Sequence, residues 1–440
     1  MELLFNSVKQ WVQAQGVSGT YWVGYSGGLD SHVLLHLLSR IRACFPIPLR
    51  AVYIHHGLNP QATAWAAHAA SVCEGLQVDF ISHAVNAAPV LGDSPEEAAR
   101  IARYRALKQL VVPNDVLLTA HHQNDQAETL LLQLVRGAGP KGLSAMPSIK
   151  RFGQGYHGRP LLPFNRDTVQ EYAIQHGLHW IEDESNRNTG FHRNFLRHEV
   201  IPLLETRWPS VRQTLARAAG HCAEAQSFIE NWAEKHLCKV QDETTNTLSV
   251  EQLLLLDAVQ QCHVLRRWFS LQHIPLPSAA KMRQILHAIL HAKQDRVPCV
   301  AWAAVELRRY RGKLFMMKKA ADPNPTEEWS WVLSEPLEMV HGTLRASLDR
   351  HAGLLRADKL QKVTVTFRQG GERCHLPGRQ CHHALKKLLS VWGVPPWQRN
   401  RLPLLYVNNQ LAVIPGYFVA QNFITQSTEL GWTIHFSEKN

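Results

Sequence analysis

A short stretch near the N-terminus, Ser26-Gly27-Gly28-Leu29-Asp30-Ser31, has the residue types of a phosphate-binding loop. Two glycines let the backbone approach an anion closely, and a helix that begins beside them adds unpaired N–H groups and the positive end of its dipole. The hydroxyls of Ser26 and Ser31 can donate to phosphate oxygens. Asp30 would repel a phosphate unless a divalent cation lies between them, so its presence predicts Mg²⁺.

This loop lacks the Gly-Lys-Ser/Thr of a Walker sequence, so it is not a loop of that class. The alternative is a plain Gly-Gly turn between a strand and a helix. The flanking pattern weighs against that alternative. An apolar run of strand length, residues 21–25, precedes the loop, and Val33, Leu34, Leu37 and Leu38 follow it with helical spacing.

A second set of candidate residues follows a predicted strand at 116–119. Asp125 and Glu128 are three residues apart at the start of a predicted helix and therefore share one face. Two carboxylates there can hold Mg²⁺ or the ammonium group of an amino-acid substrate, whereas the alternative for Asp125 is simple helix capping. His121 and His122 lie at the end of the strand, where open α/β sheets bind their ligands.

Arginines form a third set. Arg193 and Arg197 are four residues apart on one helical side, a spacing that suits a phosphate or the charge of a transition state. The alternative is pairing with the nearby carboxylates, which are Glu182, Asp183 and Glu184. Arg100, Arg103 and Tyr104 also share a helical face, and they suit either a substrate contact or a solvated basic stripe.

The elements that must position these residues alternate between strand and helix. Strands are predicted at 21–25, 49–54, 78–81 and 116–119, and Ser94, Pro95 and Glu97 indicate the capped start of a helix between the last two. This alternation predicts an α/β domain with a parallel sheet covered on both faces. From about residue 210 the pattern becomes helical, with one β-hairpin at 305–317. A proline-bearing linker at 322–328 precedes short strands and one helix near 382–391.

The length and the formal charge of the chain limit the classes of protein to which it can belong. A chain of 440 residues is too long for one core, and we divide it at 1–212, 213–330 and 331–440. Its formal charge of +11 fits a polyanionic partner as well as it fits a basic protein that only needs solubility. Eight scattered cysteines without a C-x-x-C pair argue against a disulfide framework. Neither a signal peptide nor a membrane-length apolar run is seen, which predicts a soluble, cytoplasmic protein.

Basic residues are concentrated near the C-terminus. Residues 366–403 hold seven Lys or Arg side chains against Glu372 alone, and these are Arg368, Arg373, Arg379, Lys386, Lys387, Arg399 and Arg401. Such density predicts a track for nucleic-acid phosphates. We expect the interleaved Trp392 and Trp397 to lie in the core rather than to stack on bases. The Cys and His residues of this region lack the spacing of a zinc finger or ribbon.

The glycine loop after an early strand resembles the PP-loop ATP pyrophosphatase superfamily. Further segments resemble its tRNA(Ile)-lysidine synthetase branch. These segments are residues 55–58; Glu97 with Ala99, Arg100, Arg103 and Tyr104; residues 120–129 with 136–143; residues 159–162; and residues 180–186 with 193–197. This resemblance covers about residues 20–205. Segments between 368 and 404 resemble the C-terminal module of the same family.

The resemblance implies a PP-loop domain, a mainly helical middle domain that contacts tRNA, and a small α+β C-terminal domain that binds tRNA. It implies that ATP adenylates the carbonyl oxygen at carbon 2 of the wobble cytidine in a CAU-anticodon isoleucine tRNA. The ε-amino group of free L-lysine then displaces AMP, giving lysidine and switching codon reading from AUG to AUA. The cytidine is reached as single-stranded RNA, whose base edges side chains can read.

Site residues follow from the same resemblance. ATP is assigned to residues Ser26 to Ser31 with His55 and His121, and Mg²⁺ to Asp30. Lysine is assigned to Asp125, Glu128 and Arg100. Charge near the adenylate is assigned to Arg193 and Arg197, and tRNA phosphates to the seven basic residues of 366–403. No protein partner is implied, and a homodimer is left open.

One departure from the family pattern is Asn124, where an aspartate is usual. Asparagine keeps an oxygen ligand but loses a charge, so a metal bound at that position would be held more weakly. Because Asp125 and Glu128 are retained, we expect little change. The rivals are a tRNA thiolase, which needs a cysteine pair or cluster ligands, and a small-molecule amide ligase, which has no use for a basic C-terminal module. A tRNA-binding protein that has lost catalysis is the third, with Asn124 as its first sign.

Overall fold

The structure, a computed structural model, describes residues 2–16, 18–55, 61–86, 95–293, 296–319, 323–350, 354–356, 363–378, 381–426 and 429–438. The chain forms two compact units, Met1–Asn231 and Trp232–Asn440, which are described separately below.

A six-stranded sheet forms the centre of the first unit. Its strands are β1 (Tyr21–Gly24), β2 (Leu49–His55), β3 (Asp79–Ala84), β4 (Val116–Leu118), β5 (Ile149–Phe152) and β6 (Gly155–Gly158). Their order is β3-β2-β1-β4-β6-β5, and every neighbouring pair is parallel except the hairpin of β5 and β6. The predicted parallel sheet is confirmed. The sequence did not predict the hairpin, and the third strand runs to residue 84 rather than 81.

Helices cover both faces of this sheet. They are α1 (Glu2–Gln15), α2 (Leu29–Cys44), α3 (Ala62–Gly75), α4 (Pro95–Leu110), α5 (Gln123–Val135), α6 (Pro140–Leu143), α7 (Arg166–Gln175), α8 (His192–Phe195) and α9 (Ile201–Arg207). A 3-10 turn occupies Glu184–Arg187, and a π turn, Leu196–Val200, joins α8 to α9. The predicted N-cap at Ser94 lies outside the described residues.

Alternate side chains of β1 belong to two different hydrophobic cores, one on each face of the sheet. Tyr21 and Val23 belong to the larger core, which also contains the apolar faces of α1, α2 and α7. Trp22 belongs to a smaller core on the other face, together with Leu107 of α4 and Leu117 of β4. Successive side chains of a strand point to opposite faces, so an apolar run such as Tyr21–Gly24 is the pattern of a strand buried on both sides.

The second unit begins within a long helix, α10 (Val211–Val240), which contains the boundary between the units. Its next elements are β7 (Gln241–Asp242), β8 (Thr247–Ser249), α11 (Val250–Leu254), α12 (Ala258–Leu271), α13 (Ala279–Gln284), β9 (Cys299–Trp302), β10 (Val305–Tyr310) and β11 (Lys313–Lys318). A π turn, Ile285–Ile289, follows α13. The predicted β10–β11 hairpin is confirmed, and it belongs to a five-stranded sheet of order β7-β8-β11-β10-β9 that packs on the helices.

The C-terminal part consists mainly of short strands. They are β12 (Glu328–Trp331), β13 (Leu337–Met339), β14 (Gly342–Asp349), β15 (Leu355–Arg356), β16 (Val363–Thr366), β17 (Arg373–His375), β18 (His382–Ala384), β19 (Leu404–Val407), β20 (Gln410–Ile414), β21 (Phe418–Val419) and β22 (Gly431–Glu438). They form sheets β12-β16-β19-β20-β21, β13-β14-β22-β15 and β17-β18. The predicted helix near 382–391 is shorter, since α14 is Leu385–Val391 and the preceding residues form β18. A second short helix, α15, is Pro396–Arg399.

None of the helices in the described part of the chain, the 30-residue α10 included, combines the length and the apolar character that crossing a membrane requires.

Candidate active site

The glycine loop connects β1 to α2 at the carboxyl edge of the parallel sheet. Its shape is fixed by hydrogen bonds among its own serines, since Ser31 Oγ donates to the carbonyl of Gly28 at 3.0 Å and lies 3.1 Å from Ser26 Oγ. Gly28 precedes α2, and no side chain caps that helix start in the described structure. The first N–H groups of α2 are therefore available to an anion, as the sequence predicted.

Gly27 is the glycine whose conformation the loop requires. Its φ of +80° lies in the left-handed region, and a Cβ at this position would lie 2.9 Å from Ile181 Cδ1. The N–H of Ile181 donates to the Gly27 carbonyl at 2.9 Å. The Trp180–Ile181 segment therefore packs directly against the loop, and any residue other than glycine would be strained at position 27.

Asp30 lies in the first turn of α2 and has the features of a magnesium ligand. Its Oδ1 is buried and makes no hydrogen bond within the described structure. No cluster of three or more His, Cys, Asp or Glu side chains suited to a metal is present among the residues described. The unpartnered oxygen of Asp30 is one that a Mg²⁺ ion could bind, because Mg²⁺ is usually bound by one or two carboxylates together with substrate phosphates and waters.

Asp125 and Glu128 on α5 bind the two predicted arginines. Glu128 is fully buried, and its Oε1 and Oε2 accept hydrogen bonds from Arg197 Nε and Arg193 Nε, each at 2.6 Å. Asp125 Oδ1 accepts from Arg193 Nη2 at 2.8 Å and from Arg197 Nη2 at 3.3 Å. Two carboxylates and two guanidiniums thus form one ionic cluster, hereafter the α5 cluster. Such charge-assisted bonds are the strongest class of hydrogen bond in proteins.

The two interpretations of Asp125 from the sequence both describe part of its role. Its Oδ2 accepts from the backbone N–H of His122 at 2.9 Å, which caps α5, while its Oδ1 belongs to the α5 cluster. Burial works to raise the pKa of Asp125, but the neighbouring charges of His122 and Arg193 outweigh it and hold the pKa well below its usual range. Asp125 is therefore ionised at neutral pH.

His122 connects the glycine loop to the α5 cluster. Its ring is buried, with Nε2 3.7 Å from Asp30 Oδ2 and Nδ1 3.5 Å from Asp125 Oδ2. Burial works to lower the pKa of His122, but the carboxylates of Asp125 and Asp30 outweigh it and raise the pKa. Two carboxylates thus approach one ring, one from each of two helices. The sequence placed His122 at a strand end but gave it no role, because its partners come from two different elements.

His121 has the opposite electrostatic character although it is the adjacent residue. Burial lowers its pKa to about 3, against the carboxylate of Asp125 and with the help of the guanidiniums of Arg159 and Arg193. The ring is therefore neutral at physiological pH. Its Nδ1 lies 2.8 Å from the hydroxyl of Thr119, the last residue of the predicted fourth strand.

These groups surround one pocket of about 800 Å³ in the first unit. The predicted residues that line it are Ser26, Gly28, Leu29, Asp30, Ser31, Arg100, Arg103, Tyr104, His121, Asp125, Arg193 and Arg197. Lining residues to which the sequence gave no specific role include His122, Thr119, Trp180, Asn186, Asn194 and His198. A volume of this size is typical of small-molecule and cofactor sites.

Three predicted residues have a different position from the one expected. Gly27 packs against Ile181 rather than lining the pocket, and Glu128 lies behind the lining, beneath the two arginines. His55, at the end of β2, has its Nε2 3.4 Å from Thr63 Oγ1 and is not among the described lining residues. The neighbouring residues 56–58 of the same motif lie outside the described residues.

Asn124 makes a packing contact with the start of α7. It is buried, and its Oδ1 accepts a hydrogen bond at 3.2 Å from the backbone N–H of Arg166, the first residue of α7. An aspartate oxygen would accept the same bond. The asparagine therefore keeps the contact that this position makes, and the expectation that its substitution changes little stays a prediction.

The basic residues of the C-terminal part differ in what their side chains contact. Lys386 and Lys387 at the start of α14 are exposed, as is Arg373, which also donates to the His382 carbonyl at 3.2 Å. Arg368 lies 3.5 Å from Glu372 and Arg401 lies 3.9 Å from Glu438, both with side chains at most 15% exposed. Arg379 lies outside the described residues.

Arg399 is used within the second unit. Its Nε donates to the Val394 carbonyl at 2.9 Å and its Nη2 to the Tyr310 hydroxyl at 3.2 Å. Trp397 is buried beside it, and its ring contacts Tyr310 and Phe315 of the β10–β11 hairpin. The expectation that Trp397 lies in the core is confirmed, and Trp392 is half-buried against Tyr417 and Phe418. Arg399 joins the hairpin to the C-terminal part and is not presented freely to a phosphate.

Comparison with known proteins gives three family matches along the chain. The model of the PP-loop domain matches residues 4–204, that of the TilS substrate binding domain matches residues 248–315, and that of the TilS substrate C-terminal domain matches residues 363–436. The first match contains every residue of the pocket.

Similar curated proteins cover nearly the whole chain. A tRNA(Ile)-lysidine synthase of Coxiella burnetii is 42% identical over 95% of this chain and 93% of its own length. One of Methylococcus capsulatus is 39% identical over 95% of this chain and 96% of its own length. Among solved structures, the U34-tRNA thiolase NcsA of Methanococcus maripaludis has 18% identity and a TM-score of 0.44 over 51% of this chain and 79% of its own, a likeness too low to support any conclusion.

Proposed function

Since the chain belongs to the tRNA(Ile)-lysidine synthase family, we propose that it ligates free L-lysine to carbon 2 of the wobble cytidine in the CAU-anticodon isoleucine tRNA, with ATP as co-substrate. The observation that supports this most directly is the pocket itself, where an anion-binding loop and an ionic cluster of opposite charges share one cavity. The loop suits a triphosphate, and the cluster suits a substrate that carries both an ammonium and a carboxylate.

In the first step, the carbonyl oxygen on carbon 2 attacks the α-phosphorus of ATP and pyrophosphate leaves. The N–H groups at the start of α2, with the hydroxyls of Ser26 and Ser31, hold the phosphates. Asp30 would hold Mg²⁺, and the ion would supply positive charge to stabilise the pyrophosphate leaving group. In the second step, the ε-amino nitrogen of lysine attacks carbon 2, and the bond to AMP breaks. An amide-like oxygen leaves only after this activation.

For lysine we retain Asp125 and Arg100 as contacts, because both line the pocket. Glu128 is assigned a different task. It is fully buried and its oxygens accept from both arginines, so it positions Arg193 and Arg197 rather than binding the substrate itself. The two guanidiniums then stabilise the negative charge that develops near the adenylate.

The second unit is the proposed tRNA-binding part. The matched segments 248–315 and 363–436 each fall within one of the predicted domains 213–330 and 331–440, and the match 4–204 falls within 1–212, which supports this three-domain division. Lys386, Lys387 and Arg373 are the exposed candidates for phosphate contacts. The predicted cytoplasmic location belongs to the same proposal, and oligomeric state is left open.

Thiolation is disfavoured by the surroundings of the cysteines. No cysteine is among the described residues that line the pocket. Cys73 and Cys374 are buried, and burial raises the pKa of each thiol to about 12, which disfavours the reactive thiolate.

Incubation of the full chain with bulk tRNA, ATP and radiolabelled lysine tests the function. The proposal expects label in RNA that depends on ATP, and it expects Asp30→Ala to abolish both label and pyrophosphate release. Asp79→Asn, at an exposed ion pair with Arg50 on the sheet edge, is the matched control and keeps both. Pyrophosphate release without lysine transfer would instead identify a sister ligase, and unaltered activity of Asp30→Ala would overturn the proposed nucleotide site.

A further inference from the structure

A buried chain of hydrogen bonds runs behind the pocket and ends at His121. Arg159 Nη2 lies 3.2 Å from His157 Nδ1, His157 Nε2 lies 2.8 Å from Thr119 Oγ1, and the same hydroxyl lies 2.8 Å from His121 Nδ1. Arg159, His157 and Thr119 are all less than 5% exposed. Of these four residues, Thr119 and His121 are the two among the described residues that line the pocket.

The donor and the acceptor of every hydrogen bond in this series can be assigned by starting from Arg159. A guanidinium has donors and no acceptor, so His157 Nδ1 must accept the hydrogen bond from Arg159. Burial, together with the charge of Arg159, lowers the pKa of His157 to about 2, so its ring is neutral and its single proton is on Nε2. His157 Nε2–H therefore donates to the Thr119 oxygen.

The Thr119 hydroxyl then determines which ring nitrogen of His121 carries the proton. Its oxygen accepts from His157, and its own hydroxyl hydrogen needs an acceptor because the group is buried. His121 Nδ1 is that acceptor in the described structure. If Nδ1 carried the proton instead, two donors would face one hydroxyl, whose hydrogen would have no acceptor. The neutral His121 ring thus has its proton on Nε2, the nitrogen left for a ligand.

We propose that Arg159, His157 and Thr119 are positioning residues that hold His121 as an Nε2–H donor toward an oxygen of the bound nucleotide, so that His121 is not a general base. The role of His121 at the nucleotide rests on the proposed function. Its tautomer rests only on the hydrogen bonds above. It follows that the proton of the lysine ammonium is removed by another group.

A direct test reads the tautomer in the full-length protein without substrates. In histidine-¹⁵N-labelled protein at pH 7, long-range ¹⁵N–¹H correlation distinguishes protonated from unprotonated ring nitrogens, and the His121→Gln variant identifies the His121 signals. We expect a protonated Nε2 and an unprotonated Nδ1. A protonated Nδ1, in either a neutral or a cationic ring, would overturn the inference whether or not lysine transfer is observed.

A matched pair of variants tests the consequence for the reaction. Thr119→Val removes the hydroxyl and keeps the shape, whereas Thr119→Ser keeps the hydroxyl. For ATP–pyrophosphate exchange with tRNA, we expect Thr119→Val to lower kcat at least about tenfold through loss of the tautomer. Thr119→Ser should stay within about threefold of the wild type in the same assay. In the separate assay of labelled-lysine transfer, the KM for lysine should be unchanged in both variants. A Thr119→Val protein with wild-type kcat and the wild-type tautomer would contradict the proposal; if this variant does not fold, the tautomer of the wild type and of Thr119→Ser decides.

Discussion

Glu128 and Arg193 are 65 positions apart in the chain, yet Glu128 Oε2 accepts a hydrogen bond from Arg193 Nε at 2.6 Å. The carboxylate is completely buried, and Arg197 occupies its other oxygen. A single buried charge on α5 therefore fixes two guanidiniums that come from α8 and the π turn after it. Positioning by a rigid, fully bonded partner is what gives a charge-stabilising group its effect in catalysis.

Glu128→Gln should abolish this positioning. The amide has only one acceptor oxygen and turns N–H donors toward the guanidiniums, leaving two half-buried cations with one fewer counter-charge. We expect destabilisation by about 3–5 kcal/mol, as for other broken buried ion pairs, and a loss of pyrophosphate release of at least about 100-fold. Urea unfolding and a pyrophosphate assay measure the two effects.

The control for this change is Asp79→Asn, since the Asp79–Arg50 pair is exposed on both sides. Loss of an exposed pair costs at most about 1 kcal/mol. A Glu128→Gln protein as stable as the control would show that the α5 cluster is not the organising feature of the site.

Two adjacent glycines of the loop should respond differently to alanine. Gly27→Ala places a Cβ at positive φ and 2.9 Å from Ile181 Cδ1, so we expect a loss of about 1–3 kcal/mol in the free energy of unfolding. At Gly28 the added Cβ would have only ordinary contacts, 3.5 Å from Ser26 Oγ and 3.8 Å from the Ile181 carbonyl oxygen, and the expected loss is under about 1 kcal/mol. Equal losses in the two variants would contradict the loop geometry.

The exposed lysines of α14 should contribute electrostatically to tRNA binding. Lys386→Ala with Lys387→Ala removes two phosphate contacts, so binding should weaken and the slope of log K against log salt should become less negative by about 1.5. Filter binding at several salt concentrations measures this. Arg345→Ala, which removes an exposed charge from β14 outside the basic segment, is the control. The prediction fails if both proteins show the wild-type slope.

Stability should depend on pH through His157. Burial and Arg159 lower its folded-state pKa to about 2, whereas an unfolded histidine titrates near 6.5. The unfolded state therefore binds the proton first as the pH falls. The stabilising contribution of the neutral ring is fully present above about pH 6.5 and is lost toward pH 2, at about 1.4 kcal/mol per pH unit.

His157→Gln has no such titration and can still accept from Arg159 and donate to Thr119. Between pH 6 and 4 its free energy of unfolding should therefore fall less steeply than that of the wild type, by about 1.4 kcal/mol per pH unit. Denaturant unfolding at each pH gives the comparison. His221→Gln, at a side chain 70% exposed, should keep the wild-type slope. Parallel curves for wild type and His157→Gln would contradict a neutral buried His157.

The sequence by itself determined the elements whose evidence is local. The strand, glycine loop and helix around Ser26 to Ser31 follow from a run of apolar residues, two glycines and a 3.6-residue repeat, all within about twenty positions. The β10–β11 hairpin follows in the same way from two apolar strands around Arg311 and Gly312. The resemblance of the motifs added the family, which periodicity alone does not contain.

Only the tertiary structure decided which charges meet. Spacing placed Arg193 and Arg197 on one side of a helix but offered the nearby carboxylates of 182–184 as partners, whereas Glu128 comes from α5. The β5–β6 hairpin brings His157 to its hydrogen-bond partners, and the short strands of that hairpin have little sequence pattern by which to predict them. Arg399 was expected to contact a phosphate, but it donates a hydrogen bond to the Tyr310 hydroxyl. Periodicity reports which side chains are buried; hydrogen-bond and ion-pair partners depend on how distant segments are brought together by the whole core.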